Sequence, residues 1–498
     1  MRLSFSQEIT ELLELILGEL GEHQGLYLVG GAVRDAHLGR RINDLDFAKD
    51  GNPTALAKRV AKRLGVGIFV LDDERHTARV LYRTSEGDLS PLDFVQVSGG
   101  SLQEDLRLRD FTLNAMALSL RDLAEVIDPL NGKADLAAGL LRPCSDHALE
   151  DDPVRVLRGI RLALQFDLEF VDALLPQMRT AAIHLPVTSY ERQRDEFFKI
   201  LEGPDPAEGM RICRKFRIFE TLIPPLTEQA EIPISPPHTL PLFDHTIAAV
   251  EAFNLLLEHT QPSNVKPEGS PWWLSYAVSE LSDLANAIKT FFLEEVTPGR
   301  SKRGLAILGT LLHDLGKPLT MKPGEDDRLH YYGHAKVGAD LAWDAARRLQ
   351  LSNAEAGWIQ TMVRRHMALL PLVNKYEPLS RQQIFRFYKE TKEVGVAIAL
   401  LSLADTLATY GNTLSQEKWE MAVSVTKGLL TAWWEHQEVI VSPSLLLDGN
   451  DLQDEFGLEP GKQIGRLLED LREAQAVGEV TDLQEAKAFI RAQIDQKQ

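Results

Sequence analysis

One segment constrains this chain more than any other: LYLVGGAVRDAHLGRRINDLDFA, residues 26–48. A short apolar run ends in Gly30-Gly31, AVRDAHLG carries helical spacing up to Gly39, and DLDFA reads as a second strand. A helix that opens at a glycine pair leaves backbone N–H groups free to cradle phosphate, with Arg34 about one turn inside. Asp44 and Asp46 are separated by one residue, so in a strand-like segment their side chains emerge on the same face. Two such carboxylates hold Mg²⁺ ions together, and Asp93 in the strand-like PLDFV is a third ligand if that strand lies alongside. Mg²⁺ prefers oxygen ligands and phosphates, and a pair of metals activates an attacking hydroxyl while stabilising the leaving group. A lone D-x-D is more often a solvated turn, and a lone Gly-Gly only a turn. The specificity lies in their succession.

The surrounding patterns frame this segment. The opening MRLSFSQEITELLELILGEL is an amphipathic helix with acidic residues inside it, unlike the apolar core of a signal peptide. GNPTALAKRVAKRLG predicts a helix, and GIFVLDD, TARVLYR and SPLDFVQV predict strands, so residues 26–130 make a small mixed sheet with helices. From 140 to 230 the apolar spacing is helical. IPPLTEQAEIPISPPHTLPLF, near residues 223–243, is proline-rich and reads as a linker. Beyond it the chain is helical again, with a polar interruption at TQPSNVKPEGSPWW and a last helical unit from SPSLLLDGNDL onward. No internal repeat is found. The expected fold is α+β and multidomain, a small mixed-sheet head followed by all-α parts, and 498 residues suit about two to four domains.

No stretch is expected to reach the roughly 18 to 20 apolar residues of a membrane span, so a cytoplasmic protein without a membrane partner is expected. Cys144 and Cys213 are too few and too far apart for a disulfide framework. The net charge of −19 argues against a broad electrostatic grip on nucleic acid. A local groove remains open to it, because Arg142, Arg155, Arg158, Arg161, Arg192, Arg194, Arg211, Arg214 and Arg217 cluster in one segment with Lys199 and Lys215.

LVGGAVRDAHLGRRINDLDFA resembles the first signature of the class II tRNA nucleotidyltransferase and poly(A) polymerase family. RDFTLNAMAL resembles the second motif, DDPVRVLRGIRLALQF the base-reading motif, SYERQRDEFFKIL the next one, and DGNDL with PGKQIGRLLEDLREAQAVGEV segments of longer members. The ordered similarity spans most of the chain. It implies Asp44, Asp46 and Asp93 as catalytic carboxylates on Mg²⁺, with Gly30, Gly31, Arg34 and Arg109 at the nucleotide and Asp110 and Asn114 on its ribose side. Asp152 and Arg155 would read the Watson–Crick edge of CTP or ATP, since a carboxylate acceptor and an arginine donor together match cytosine or adenine. Arg158 and Arg161 would steady the triphosphate or the helix, the plain alternative being exposed helix charge. Asp152 before Pro153 also predicts an N-cap and a helix start.

The chain departs from the family pattern in three places. Asp151-Asp152 stands where Glu-Asp is usual, Leu108 replaces one of two adjacent arginines, and few residues separate Asp93 from Arg109. The resemblance therefore leaves CC addition, A addition and full CCA addition to the 3′ end of tRNA all open, with poly(A) synthesis as the rival.

A second constellation follows. His313 and Asp314 in LGTLLHDLGKP, with His245, His334, His366 and Asp405, look like the HD phosphohydrolase pattern. A lone histidine on an apolar helix is more often structural, but several with adjacent acidic residues are not. The resemblance implies His245, His313, Asp314 and Asp405 around one metal and His334 and His366 for a second, with Mn²⁺, Ni²⁺, Fe or Mg²⁺ all suited to mixed imidazole and carboxylate ligation. Lys317 would stabilise developing charge, and the similar members have phosphodiesterase or phosphatase activity. An alternative of another class makes this the main activity, with the head only binding nucleotide or RNA. The expected division is a head at 1–140, a helical neck at 141–230, an HD domain at 231–425 and a helical tail at 426–498. Nothing in the sequence sets the oligomeric state.

Overall fold

LDFAK and LSPLDFVQ lie side by side as parallel strands β2 (Leu45–Lys49) and β5 (Leu89–Gln96). They belong to a computed structural model that describes residues 3, 5–22, 24–42, 44–72, 76–85, 87, 89–260, 270–324, 328–375 and 377–495. Their sheet has seven strands in the order β3-β4-β5-β2-β1-β6-β7. It is completed by β1 (Leu26–Val29), β3 (Ile68–Asp72), β4 (Thr77–Arg83), β6 (Ala117–Ser119) and β7 (Asp122–Ile127), all paired antiparallel.

On one face of this sheet Leu28, Phe47, Val80 and Phe94 join the helices Gln7–Gly18 and Thr54–Leu64 in a hydrophobic core, with Phe47 and Phe94 stacked at 5.0 Å. Burying such a side chain stabilises by roughly 1.5–3 kcal/mol, and a one-residue slip would turn both rings out and the neighbouring aspartates in. Packing on the core face therefore sets the register of the opposite face. The expected start of the first helix at Met1, Arg2 and Ser4, and the end of the third predicted strand at Asp73, lie outside the described residues.

The chain divides into two compact units, Met1–Phe197 and Phe198–Gln498. The first continues past the sheet into helices that include Arg155–Phe166 and Leu174–His184. The second is helical, built around Leu242–His259, Lys302–Leu312, Asn353–Arg365 and Val394–Tyr410. Val394–Thr413 corrects one expectation: with a mean hydropathy of 1.5 it is long and apolar enough to cross a membrane, and 78% of it is buried inside the protein. A helix that is apolar on all sides is satisfied when it runs through a core.

The proline-rich stretch is also not a loose linker. Pro224–Glu231 forms a 3-10 helix, Gln229 Oε1 accepts a hydrogen bond from Thr246 at 3.1 Å, and Ile232 and Ser235 are buried. Proline withholds backbone donors, yet Gln229 still binds Thr246 through its carbonyl oxygen, while its amide nitrogen is buried without a hydrogen-bond partner among the described residues. Of the polar interruption expected at residues 260–273, 261–269 lie outside the described residues. Helices Gly449–Phe456, Lys462–Val477 and Leu483–Asp495 close the chain around a small core of their own, the first held by a capping box between Asp448 and Asp451.

Candidate active site and metal centre

Register places the head carboxylates. Val29, Asp46, Asp93 and Arg79 are successive lateral neighbours across β1, β2, β5 and β4, so Asp46, Asp93 and Arg79 share a face. Asp44 sits one residue before β2 and is exposed, so it reaches the site from a loop and not from the strand expected for it. Arg79, which the sequence reading did not single out, grips Asp93 through Nε and Nη2, both at 2.7 Å. The alternation in TARVLYR puts Arg79 opposite buried Ala78 and Val80, but only strand register reveals its partner. Burial first, and then the carboxylates of Asp93 and Asp44, push Asp46 up to about 6 against the pull of Arg109. Oxygen ligands crowded in this way suit a divalent cation.

Gly30 closes β1 with a φ of +75°, and a Cβ there would lie 3.2 Å from Arg109 Nη1 and 3.6 Å from Asp46 Oδ2. Its conformation favours glycine, and a side chain there would press on the Arg109 guanidinium. Gly31 opens the helix Gly31–His37, which carries Arg34, the residue expected at the nucleotide. Arg34 is buried, paired with Asp35, donating to Asn114 Oδ1 and lying 4.4 Å from the centre of the Phe166 ring. Asn114 in turn donates to Asp110 at 3.2 Å, and Asp110 pairs with Arg158 at 2.6 Å. Burial works to raise Asp110, yet Arg158, the Phe111 N–H and the Asn114 amide hold its carboxyl below the usual range. Asp35, Arg34, Asn114, Asp110 and Arg158 thus form one network beneath the glycine turn. In this structure Arg34, Asp110 and Asn114 support the site more than they face it.

The base-reading candidates are engaged too. Arg155 donates to the carbonyls of Ala148 at 2.9 Å, Leu108 at 3.1 Å and Arg109 at 3.2 Å. Asp152 does not cap a helix: Arg155–Phe166 begins later without a side-chain cap, and the Asp152 carboxylate accepts from Arg192 at 2.6 Å. Arg161 is paired with Glu196 at 2.8 Å. The expected basic segment is in fact charge-balanced, with Arg142 on Asp135, Arg211 on Glu208 and Glu251, Arg214 on Asp244 and Arg217 on Glu220. Excess acid elsewhere in the chain makes such partners easy to find.

In the second unit His313 and Asp314 occupy the turn after the helix Lys302–Leu312. Asp314 Oδ2 lies 3.2 Å from His313 Nε2 and 3.4 Å from His245 Nε2, and Asp405 Oδ1 lies 3.2 Å from His245 Nε2. The other oxygen of Asp314, Oδ1, lies 3.4 Å from His334 Nε2 and 3.7 Å from His366 Nε2. His313, His334 and His366 each point Nδ1 at a backbone carbonyl, of Thr310, Tyr331 and Val363, at 2.7 to 2.8 Å. A carbonyl only accepts, so Nδ1 carries a hydrogen and Nε2 is presented inward, the usual orientation of a metal-bound histidine. Two Nε2 atoms, of His334 and His366, then face each other at 3.1 Å beside a carboxylate. Burial, and after it the nearby His313, holds His366 down at about 3, the neutral form that ligates.

All six expected residues of this site therefore converge in two sets of ligand atoms able to hold metal, His245, His313 and Asp405 in one and Asp314, His334 and His366 in the other, with Asp314 also next to His245 and His313 of the first. His238 was missed. It comes from the proline-rich stretch, joins His245 and Asp314 in a further possible set, and its Nε2 lies 3.0 Å from Lys317 Nζ. Lys317 itself pairs with Asp314 at 2.5 Å. Cys144 and Cys213 are free thiols whose pKa burial pushes up, away from the thiolate form.

A mixed sheet with clustered carboxylates at a glycine turn, followed by a helical unit with an HD centre, defines a nucleotidyltransferase. The poly A polymerase head domain profile matches residues 26–142, that of the probable RNA and SrmB-binding site of polymerase A matches 170–229, and the HD domain profile matches 275–410. An A-adding tRNA nucleotidyltransferase of Deinococcus radiodurans is 33% identical, over 94% of this chain and 95% of that protein. A CC-adding tRNA nucleotidyltransferase of Thermus thermophilus is 31% identical, over 93% and 92%. The Thermotoga maritima CCA-adding enzyme, solved with tRNA, shares the fold at a TM-score of 0.59 and 22% identity over 98% of this chain and 96% of its own. The chain belongs to the tRNA nucleotidyltransferase and poly(A) polymerase family and is an enzyme of that class.

Proposed function

We propose that the chain adds C, A or both to the 3′ end of tRNA from CTP and ATP, without a nucleic-acid template. The observation that carries this reading is the alignment of Asp46 with Asp93 beside Gly30 and Arg109, with Asp44 at the strand entrance. Bound Mg²⁺ would supply activation of the RNA hydroxyl and neutralisation of the triphosphate. Asp44, Asp46 and Asp93 would hold it, Arg79 would orient Asp93, and the backbone at Gly30 and Gly31 would receive the phosphates. Asp152, Arg155 and Arg192 lie together, and base choice through them requires exchanging present contacts for the nucleotide edge. Likewise RNA bound along the neck takes arginines from their carboxylate partners, which makes binding sensitive to salt.

The test offers the purified chain Mg²⁺ and tRNA transcripts lacking CCA, ending in CC or ending in CCA, with CTP and ATP singly and together. A defined stop at CC, A or CCA supports the proposal and names the subtype. Long A tails make the chain a poly(A) polymerase, and no addition overturns the reading.

The second centre favours a second activity. Four histidines and two aspartates facing inward suit Mn²⁺, Ni²⁺, Fe or Mg²⁺ and metal-dependent hydrolysis of a phosphoester, with Lys317 near the developing charge. Metal analysis of the full chain finding none of these ions, with no phosphoester cleaved, counts against it. The division into 1–140, 141–230, 231–425 and 426–498 is proposed on the same basis.

A further inference from the structure

Across the head sheet one row of residues runs outward from the carboxylates. Asp46 on β2 neighbours Asp93 on β5, Asp93 neighbours Arg79 on β4, and Arg79 neighbours Phe69 on β3, the edge strand. Lateral neighbours share a face, so Phe69 lies on the carboxylate face, two strands and roughly 10 Å beyond Asp93. Its side chain is 53% exposed. Leu81 and Pro91, both partly exposed, lie side by side in the next row of that face, and exposed Leu89 follows Pro91 at the same alternation. Toward β1 the face is covered, because Val29, Ala48 and Val95 pack with Leu102 and Leu106 of the helix Leu102–Arg107. The glycine turn at the end of β1 and the Phe69 edge therefore stand on opposite sides of the Asp46 and Asp93 pair.

We propose that the apolar shoulder at Phe69 holds the last nucleotide of the RNA being extended, with its base stacked on the Phe69 ring. In nucleotidyl transfer the attacking hydroxyl and the leaving pyrophosphate stand roughly in line, on opposite sides of the reacting phosphorus. With the triphosphate received at the glycine turn, the hydroxyl comes from the Asp93 side, where Arg79 and then Phe69 follow. The span from Asp93 to Phe69 is one that the sugar and base of a single nucleotide bridge. Edge strands are commonly blunted by charge, whereas Ile68, Phe69, Val70 and Leu71 carry none. A flat ring left open beside catalytic carboxylates suits a base, since every base has a π-face to offer. The inference rests on the proposed addition to an RNA 3′ end.

The test uses the full chain with tRNA transcripts lacking CCA that end either in an ordinary nucleotide or in the same nucleotide without its base. Binding of both RNAs and their extension with CTP and ATP are measured for wild type, Phe69→Ala and Phe69→Tyr, together with the sedimentation of each protein. Stacking predicts that wild type has a Kd and a KM about 5- to 150-fold lower for the complete RNA than for the abasic one. Phe69→Ala should remove that preference while leaving the KM for CTP and ATP in place, and Phe69→Tyr should keep it. Equal binding of the two RNAs by wild type, or a preference unchanged in Phe69→Ala, overturns the proposal. A dimer that Phe69→Ala dissociates, with the base preference intact, overturns it in favour of a second copy paired along β3. A base preference in binding that Phe69→Ala removes, without any nucleotide added by wild type, overturns the transfer reading and upholds the stacking site.

Discussion

Asp46 and Asp93 are directly opposite each other in the parallel pair β2 and β5, on the face turned away from the Phe47 and Phe94 stack. Like charges held side by side destabilise a site until a cation joins them. Asp46→Asn should therefore reduce CTP and ATP addition by about a thousandfold or more, the scale of several kcal/mol of metal-assisted stabilisation. Its melting temperature without metal should stay level or rise. Activity near wild type would remove Asp46 from the catalytic set.

Arg79 holds Asp93 by two parallel hydrogen bonds. Lysine keeps the charge and loses that fork. Arg79→Lys should lower nucleotide addition about 10- to 100-fold, as loss of an orienting partner does at metal sites, and shift the Mg²⁺ titration upward. An unchanged Mg²⁺ dependence would show that Asp93 needs no such support.

Arg155 satisfies three main-chain carbonyls. Arg155→Ala should cost about 1–3 kcal/mol in urea denaturation and blur the choice among CTP, ATP and UTP. Lowered stability with UTP still excluded would leave the guanidinium a support of the main chain and not a reader of the base.

Asp314 joins His334 and His366 in one possible metal set and touches His313 of the other. Mn²⁺ or Ni²⁺ at about a hundred times its Kd should stabilise the unit by about 2.7 kcal/mol, read by calorimetry. Asp314→Asn should abolish that gain and leave CTP and ATP addition intact. Loss of addition as well would contradict independent centres.

Glu355 is fully buried, accepting from Arg300 Nε at 2.6 Å and the Ser352 N–H at 2.7 Å. Burial works to raise its carboxyl, but Arg300 and Ser352 together hold it below the ordinary range. Its contribution is thus present above the unfolded value of about 4.3 and is lost as pH falls through the lower folded value. Glu355→Gln should lose about 3–5 kcal/mol at neutral pH, because it leaves the largely buried Arg300 guanidinium without its carboxylate. The gap from wild type should narrow below about pH 4. A gap independent of pH would assign the loss to packing.

Local pattern determined a great deal here. The alternation in LDFAK and LSPLDFVQ, the glycine pair and the adjacent His313 and Asp314 disclosed a mixed-sheet head, a tight glycine turn and a helical part with clustered histidines and aspartates, since each depends on residues close in sequence. Tertiary structure alone decided that Arg79 orients Asp93, that Arg34 turns inward to Asn114, that Arg155 holds carbonyls and that His238 joins the metal centre. It also turned a basic segment into ion pairs and a proline-rich linker into a packed wall. Periodicity reports which face of an element is buried. Which side chain meets which depends on strand register and on packing between residues distant in sequence, Arg34 and Asn114 for example being 80 residues apart.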